Sequence, residues 1–228
     1  MTDIRMRFAD GDSFVCPNSM EHDTRSIFER GEYDIPIDFD GPPPCILDLG
    51  ACCGAFSRWA IKRWPGAYVH AFEPNPVAWE YLQKNTVDFP QIMPHQLAVV
   101  GDDRPTVRLY DGTQNLGQTS VRALDEGEVN VTETFHDVEA ICASHLPPAD
   151  IVKADCEGVE LEILSAYDTS ATSVVVLEYH RREDRDALTR LMHDRGFTLW
   201  SGLIRAPWLG TLRFVREDGA ANPFRRVA

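Results

Sequence analysis

The sequence predicts an α/β fold, a doubly wound and mostly parallel sheet with a C-terminal antiparallel hairpin. Three observations carry this. From Cys45 onward, short apolar runs alternate with helix-spaced amphipathic segments, the pattern of βαβ units with both sheet faces covered. The run "SVVVLEYH" (173–180) is apolar and β-branched almost throughout, as a fully buried strand must be. The stretch "FTLWSGLIRAPWLGTLRFV" (197–215) reads as two strands and a loop, suited to a closing hairpin. At 228 residues the chain has room for one domain with a substantial core, so residues 1–40 are read as a lead-in segment and 41–228 as the core.

Each element has a local reason. "DTRSIFER" (23–30) has a short helical pattern with Asp23 as its cap, and "GPPP" (41–44) ends regular structure. "CILDL" (45–49) is the first core strand. "AFSRWAIKRW" (55–64) places Phe56, Trp59, Ala60 and Trp64 at helical spacing, and Pro65-Gly66 stop it. "AYVHAF" (67–72) is a β-branched and aromatic strand ending before Glu73. "PVAWEYLQKN" (76–85) opens with a proline suited to a first helical turn and carries Val77, Tyr81 and Leu82 on one face. "MPHQLAVV" (93–100) and "TVRLY" (106–110) suit strands, with a turn begun by Gly101. The polar stretch 111–135 ends in the strand-like "VNVTETF". "DVEAICASHL" (137–146) reads as a short helix capped by Asp137. "DIVKAD" (150–155) is a strand and "GVELEIL" (158–164) a helix. "DRDALTRLMHDRGF" (184–197) is an amphipathic helix with Leu188, Leu191 and Met192 inward, ended by Gly196.

Composition excludes several classes. No apolar stretch approaches the roughly 20 residues of a membrane span, and the N-terminal residues have no secretory apolar region, so a cytoplasmic protein with no membrane partner is expected. The formal net charge is −14, and the densest basic patch is read at Arg225-Arg226 in the tail. Such a surface repels phosphate backbones, so nucleic acid is not expected as a partner. The six cysteines form no C-x-x-C pair and read as small, reduced, partly buried residues.

In open parallel sheets, ligands bind beyond the carboxyl ends of the strands near the switch point. The residues there are conspicuously polar: Asp48 and Gly50, Glu73, Asp155 and Glu157, and Glu178 with His180. Gly50-x-x-x-Gly54 lets the backbone turn sharply close to a ligand. Glu73 follows Asp48 by 25 positions, about where an acid ending the second strand grips ribose hydroxyls. The G-x-G-x-x-G fingerprint for a pyrophosphate is not met, since Cys52 stands where its second glycine belongs. An acid beside the turn suits a cationic ammonium and sulfonium better, which favours S-adenosyl-L-methionine over a nicotinamide cofactor.

At this point the chain resembles a known family. "ILDLGACCGAFS" (46–57), "HAFEPNPVAWEYLQKN" (70–85), "DIVKADCEGVELEIL" (150–164) and "VVVLEYH" (174–180) together resemble the FkbM-type class I methyltransferases, whose fold is Rossmann-like. "GEYD" (31–34) is similar to the family's lead-in, and "LMHDRGFTLW" (191–200) fits as well. One departure is Cys52, where the family usually has asparagine. The resemblance implies that Asp48, Gly50, Ala51 and Gly54 surround the methionine part of the cofactor and that Glu73 holds the ribose. Asn75 would border the adenosine and Asp102 lie near adenine. For Asp48 and Glu73 the plainer alternative is an acid beside a helix N-terminus.

Among the catalytic candidates, Asp155 ends the strand facing the methyl group and comes first. Glu157 stays open between a catalytic and a helix-start role, and Glu160 reads as structural. His180 is the candidate base or acceptor-orienting group, with a hydrogen-bonded corner residue as its alternative. Asp155, Glu178 and His180 could instead bind Mg²⁺ or a similar ion. Cys52, beside a helix start, is expected to be somewhat reactive. "LYDGTQNLGQTSVRAL" (109–124) is expected near the mouth, as a segment over the substrate or as an ordinary surface loop.

The expected activity is S-adenosylmethionine-dependent methyl transfer, with O-methylation of a small molecule or glycoside first. The resemblance points to sugars or polyketide-like products of secondary metabolism. N-methylation of a peptide or amine, a cofactor-binding protein without catalysis, and a nicotinamide-dependent oxidoreductase are the alternatives. A homodimer is left open.

Overall fold

The computed structural model describes residues 2–9, 11–34, 37–39, 42–110, 135–216 and 224–226. The chain opens with an antiparallel hairpin of β1 (Asp3–Arg7) and β2 (Ser13–Pro17), in which Met6, Phe14 and Cys16 alternate inward. It docks on the core through Asn85, which accepts from Val15 N (3.0 Å) and donates to Val15 O (2.8 Å). A single 3-10 turn (Asn18–Met20) runs into α1 (Glu21–Arg30) without a break. The helix therefore starts ahead of Asp23, which sits in its first turn and does not cap it. β3 (Ile37–Phe39) completes the lead-in.

The core follows as β4 (Cys45–Leu49), α2 (Ala55–Arg63), β5 (Tyr68–Phe72), α3 (Pro76–Thr86), β6 (Ile92–His95), β7 (Ala98–Val100), β8 (Thr106–Tyr110) and β9 (Phe135–Cys142). Then come β10 (Ile151–Ala154), α4 (Glu160–Ala166), β11 (Val174–Tyr179), α5 (Arg182–Asp194), β12 (Phe197–Ala206), β13 (Leu209–Arg216) and β14 (Phe224–Arg226), which pairs with β3. Seven strands form the main sheet in the order β12-β13-β11-β10-β4-β5-β6. β4, β5, β6, β10 and β11 are parallel, and β13 slips antiparallel between β11 and β12. The doubly wound sheet and its antiparallel C-terminal hairpin are thus as the residue pattern predicts. The chain leaves β4 toward β5 on one side and later returns to β10 on the other, so the switch point lies between β4 and β10.

Apolar alternation puts a core on each face of the sheet. Leu47, Leu49, Val152, Ala154, Val175 and Leu177 face α4 and α5, where Ile163, Leu164, Leu188 and Met192 are fully buried. Ile46, Val69, Ala71, Ile151, Val174 and Val176 face α2, with its Phe56 and Ala60. α3 buries Ala78, Tyr81 and Leu82, whereas Val77, expected inward, is 42% exposed.

The segment 137–146 is a correction. It forms β9 and a single 3-10 turn, not a helix. Val138, Ala140 and Cys142 repeat every second residue, and β9 pairs parallel with β7 and antiparallel with β8. Val138 and Ala140 cover the small cluster of Ala98, Val100, Val107 and Leu109. Pairing on both sides outweighs the weak helical signal. "MPHQLAVV" also divides, its first half joining the main sheet and its second half this smaller one.

One polar contact lies inside the main sheet. Lys153 on β10 stands opposite Asp48 on β4, with Nζ 3.2 Å from Oδ1, and both side chains are buried. Asp48 Oδ2 also accepts from Ser57 Oγ at 2.6 Å. Burial works against the lysine's charge, but Asp48 and Asp155 outweigh it and hold its pKa above the ordinary value. Lys153→Met would leave the Asp48 carboxylate buried without its cation. It is expected to cost about 3–5 kcal/mol, read as a lower urea midpoint. Adding Asp48→Asn should recover most of that loss, and an unchanged midpoint in the single variant would show that the pair does not hold the sheet.

Candidate active site

A cavity of about 400 Å³ opens at the carboxyl ends of β4, β5, β10 and β11, a size suited to a small ligand. Its first end is built by the turn after β4. Gly50 takes φ +74°, and a Cβ there would lie 1.8 Å from Asp155 O, so only glycine lets the two strand-end turns approach. Gly50 N and Ala51 N both donate to Phe72 O, at 3.1 and 2.9 Å. Cys52 also adopts a left-handed φ of +48°. Asparagine tolerates that conformation better than cysteine, so the departure at position 52 bears on backbone conformation.

Glu73, at the end of β5, closes this end. Its carboxylate accepts from Cys52 N and Asn75 N, both at 2.7 Å. Burial raises its pKa to about 7, although those two N–H groups and Lys153 pull the other way. Leu97 and Val99 supply an apolar wall nearby.

Four residues expected around the cofactor do not line the cavity. Asp48 lies within the strand and is fully buried against Lys153 and Ser57. Gly54 starts α2 at φ +88° and packs against Leu82. Asn75 caps α3, its Oδ1 accepting from Val77 N (2.8 Å) and Ala78 N (3.2 Å). Asp102 is exposed and paired with Arg104, whose Nη2 lies 2.6 Å from it. Gly50, Ala51, Glu73, Asp155, Glu157 and His180 do line the cavity. Of the stretch 109–124, only Leu109 and Tyr110 are among the described residues, and Leu109 reaches the cavity wall. "VNVTETF" lies outside them except for Phe135.

The second end gathers acids around one imidazole. His180 Nε2 lies 3.3 Å from Glu157 Oε2, 3.6 Å from Glu178 Oε1 and 3.8 Å from Asp155 Oδ1. Behind the ring, Nδ1 lies 3.3 Å from Glu160 Oε1. Burial opposes charge on the ring, but Glu157 and Glu160 outweigh it, so His180 is held well above its ordinary pKa. The acids around the ring favour its protonated form, which works against the base part of its expected role and not against the acceptor-orienting part. Burial raises both Glu157 and Glu178 to about 8, with Asp155 adding to each. Glu160 is structural, accepting from Cys156 N (2.7 Å) and Gly158 N (3.1 Å). Burial pushes it up, but His180 and these N–H groups keep it below the usual carboxylate value.

Three further residues complete this end: Glu32 and Tyr33 belong to the lead-in "GEYD" (31–34), read without a site role, and Arg205 carried no local signal. Tyr33 Oη donates to Asp155 Oδ2 at 3.1 Å across 122 residues of chain. Arg205 Nη1 lies 2.7 Å from Glu178 Oε2, and its Nη2 contacts Glu32. The vicinal thiols at 52 and 53 form a sulfur contact of 3.8 Å, and all six cysteines are free. The hydrogen bond to Cys53, with burial, pushes the Cys52 thiol well above its ordinary pKa, so the expected reactivity is reversed.

Strand order, switch-point cavity and closing hairpin define a class I methyltransferase fold. Ribosomal protein L11 methylase from Lactobacillus delbrueckii subsp. bulgaricus shares it with a TM-score of 0.51 at 12% identity, over 87% of this chain and 81% of that one. Residues 48–199 match the Methyltransferase FkbM domain, and the chain belongs to that family. It is 24% identical to methyltransferase sdnD from Sordaria araneosa, over 72% of this chain and 77% of that one. It is 27% identical to the hexuronic acid methyltransferase AglP from Haloferax volcanii, over 72% of this chain and 69% of that one. Among the described residues, no helix is long and apolar enough to cross a membrane.

Glu73 has a consequence for stability. Its pKa rises from 4.5 to about 7 on folding, so the folded protein holds that proton more tightly than the unfolded chain. The contribution is complete below about pH 4.5 and declines as pH rises to about 7, by roughly 3 kcal/mol at most. Comparing wild type with Glu73→Ala in urea across this range should show a shallower decline in the variant. Parallel curves would place the Glu73 pKa near its ordinary value.

Proposed function

We propose that the chain methylates a hydroxyl of a small molecule or glycoside, with S-adenosylmethionine as donor. The observation that carries this is one cavity with Glu73 and the Gly50 turn at one end and Asp155, Glu157, Glu178 and His180 at the other. The surroundings fit the donor chemically: anionic groups suit its ammonium and sulfonium, and Leu97 and Val99 suit an adenine. AglP, a hexuronic acid methyltransferase, supports a sugar acceptor by its likeness. A phosphate-rich acceptor is disfavoured by the net charge of −14 and the acidic cavity. We read the location as cytoplasmic, in keeping with six unpaired thiols, and the chain as one domain.

The donor supplies a methyl carbon already activated by its sulfonium. The protein's share is to hold the acceptor oxygen in line with that carbon and to take up the hydroxyl proton. Glu73 would accept the ribose hydroxyls on the lone pairs that Cys52 N and Asn75 N leave free. Tyr33 ties down Asp155 Oδ2, so Oδ1, buried and without a hydrogen-bond donor, is the atom placed to receive the proton. His180 stands among these acids with Nε2 3.3 Å from Glu157 Oε2, where it would help to orient the acceptor. A neutral amine would attack without such a proton acceptor, which is why this arrangement favours oxygen over nitrogen.

Three outcomes are expected. S-adenosylhomocysteine at 100 times its dissociation constant should stabilise the protein by about 2.7 kcal/mol in a thermal-shift assay, and NAD should not; the reverse pattern would defeat the reading. Glu73→Ala should weaken that binding by roughly 1.5–3 kcal/mol. Asp155→Asn should lower kcat about 100-fold or more in assays with sugar and polyketide-like acceptors, while S-adenosylhomocysteine affinity stays within about twofold. Equal losses in both would make Asp155 a binding residue.

A further inference from the structure

We infer that Asp155, Glu178 and His180 form a binding site for one divalent cation of the Mg²⁺ or Mn²⁺ type at the acceptor end of the cavity. One ligand atom from each lies within 4.8 Å of the other two. A single ion with bonds of about 2.0–2.6 Å can reach all three without moving the backbone.

Each side chain is arranged as a ligand. Glu178 gives one oxygen to Arg205 (Oε2, 2.7 Å) and turns the other, Oε1, toward His180 Nε2. Asp155 gives Oδ2 to Tyr33 and turns Oδ1 inward. That Oδ1 atom is buried with no hydrogen-bond donor, an orphaned acceptor aimed into the cluster. Behind the imidazole, Nδ1 lies 3.3 Å from Glu160 Oε1 without forming a hydrogen bond, and Nε2 is the ring nitrogen that faces the two carboxylates.

Charge points the same way. Asp155, Glu157 and Glu178 meet His180 Nε2 within 3.8 Å. Of the nearby cations, Arg205 is shared between Glu178 and Glu32, and Lys153 faces Asp48. A divalent ion would replace the proton on Nε2 and balance the remaining carboxylates. The donor set, hard oxygens with one imidazole, suits Mg²⁺ and, better, Mn²⁺, which accepts nitrogen more readily. The site itself does not depend on the methyl-transfer reading. Its role does: there the ion would hold the acceptor oxygen beside the donor and orient it.

The test uses the full chain, stripped with chelator and free of any donor, titrated with MnCl₂ and followed by electron paramagnetic resonance. Saturable binding of one Mn²⁺ per chain, with a single imidazole nitrogen detected by pulsed measurement, is expected. Mg²⁺ should compete. Glu178→Gln and His180→Ala should weaken binding about tenfold or more while still binding S-adenosylhomocysteine, which shows that they fold. No saturable Mn²⁺ binding by wild-type protein that binds S-adenosylhomocysteine would overturn the site and leave the methyl-transfer reading intact. Binding without a nitrogen signal, or unchanged in the folded variants, would also overturn it. Mn²⁺ binding with the nitrogen signal but no affinity for the donor or its product would keep the site and defeat the other reading.

Discussion

The arrangement depends on one buried ammonium. Lys153 lies opposite Asp48 across the switch point and donates to Gly50 O at 2.6 Å and to Leu49 O at 3.3 Å. It also lies over the Tyr33 ring, 5.7 Å from its centroid. One cation thus ties β4 to β10, fixes the carbonyl that begins the donor turn and meets the lead-in residue that holds Asp155. Each contact needs the charge to stay on, and the carboxylate opposite keeps it there. Buried pairs of this kind return little net stability against an apolar pair of the same shape, so geometry is the stronger reason for this one.

That geometry brings two strand-end turns together. Gly50 and the carbonyl of Asp155 approach so closely that no side chain fits between them. The first turn ends against Phe72 O and Glu73, and the second against the carboxylate of Glu160. Neither turn uses a side-chain cap on the helix that follows, α2 or α4. N–H groups of the turns themselves are spent on Glu73 and Glu160, which locks the acids bordering the cavity. Both ends of the cavity are therefore set by backbone hydrogen bonds.

This explains what the sequence made legible. Core strands buried on both faces are continuous apolar runs, so β4, β5, β10 and β11 stand out, and the polar residues just past their tips, Gly50, Glu73, Asp155, Glu157 and His180, fall in the cavity. Asp48 lies inside the strand the sequence predicts, Cys45–Leu49, and what the sequence does not reveal is that its side chain turns toward Lys153 on β10. For Asn75 the local signal was the stronger guide: asparagine before proline is a helix cap followed by a first-turn proline. β9 was hidden because its alternation is interrupted by Ile141, which packs against the main core. Tyr33, Glu32 and Arg205 meet β10 and β11 only through tertiary folding, so no window of sequence contains both partners.

Charge along the cavity has a direction that matters to the proposed reaction. Asp155, Glu157, Glu178 and Glu160 crowd one end of the cavity and Glu73 alone borders the other; because burial raises Glu157 and Glu178 to about 8 and Glu73 to about 7, the negative charge of the first end grows as pH rises past 8. In a displacement at a sulfonium carbon, positive charge leaves sulfur and begins to develop on the attacking oxygen. A field that is more negative on the oxygen side favours that transfer, because fixed charges stabilise the transition state more than the bound donor. An acidic pocket centred on the sulfur would do the opposite, holding the donor tightly and resisting its loss of charge. The sheet's topology decides the matter, since β10 and β11 carry the acids and β4 and β5 the turn.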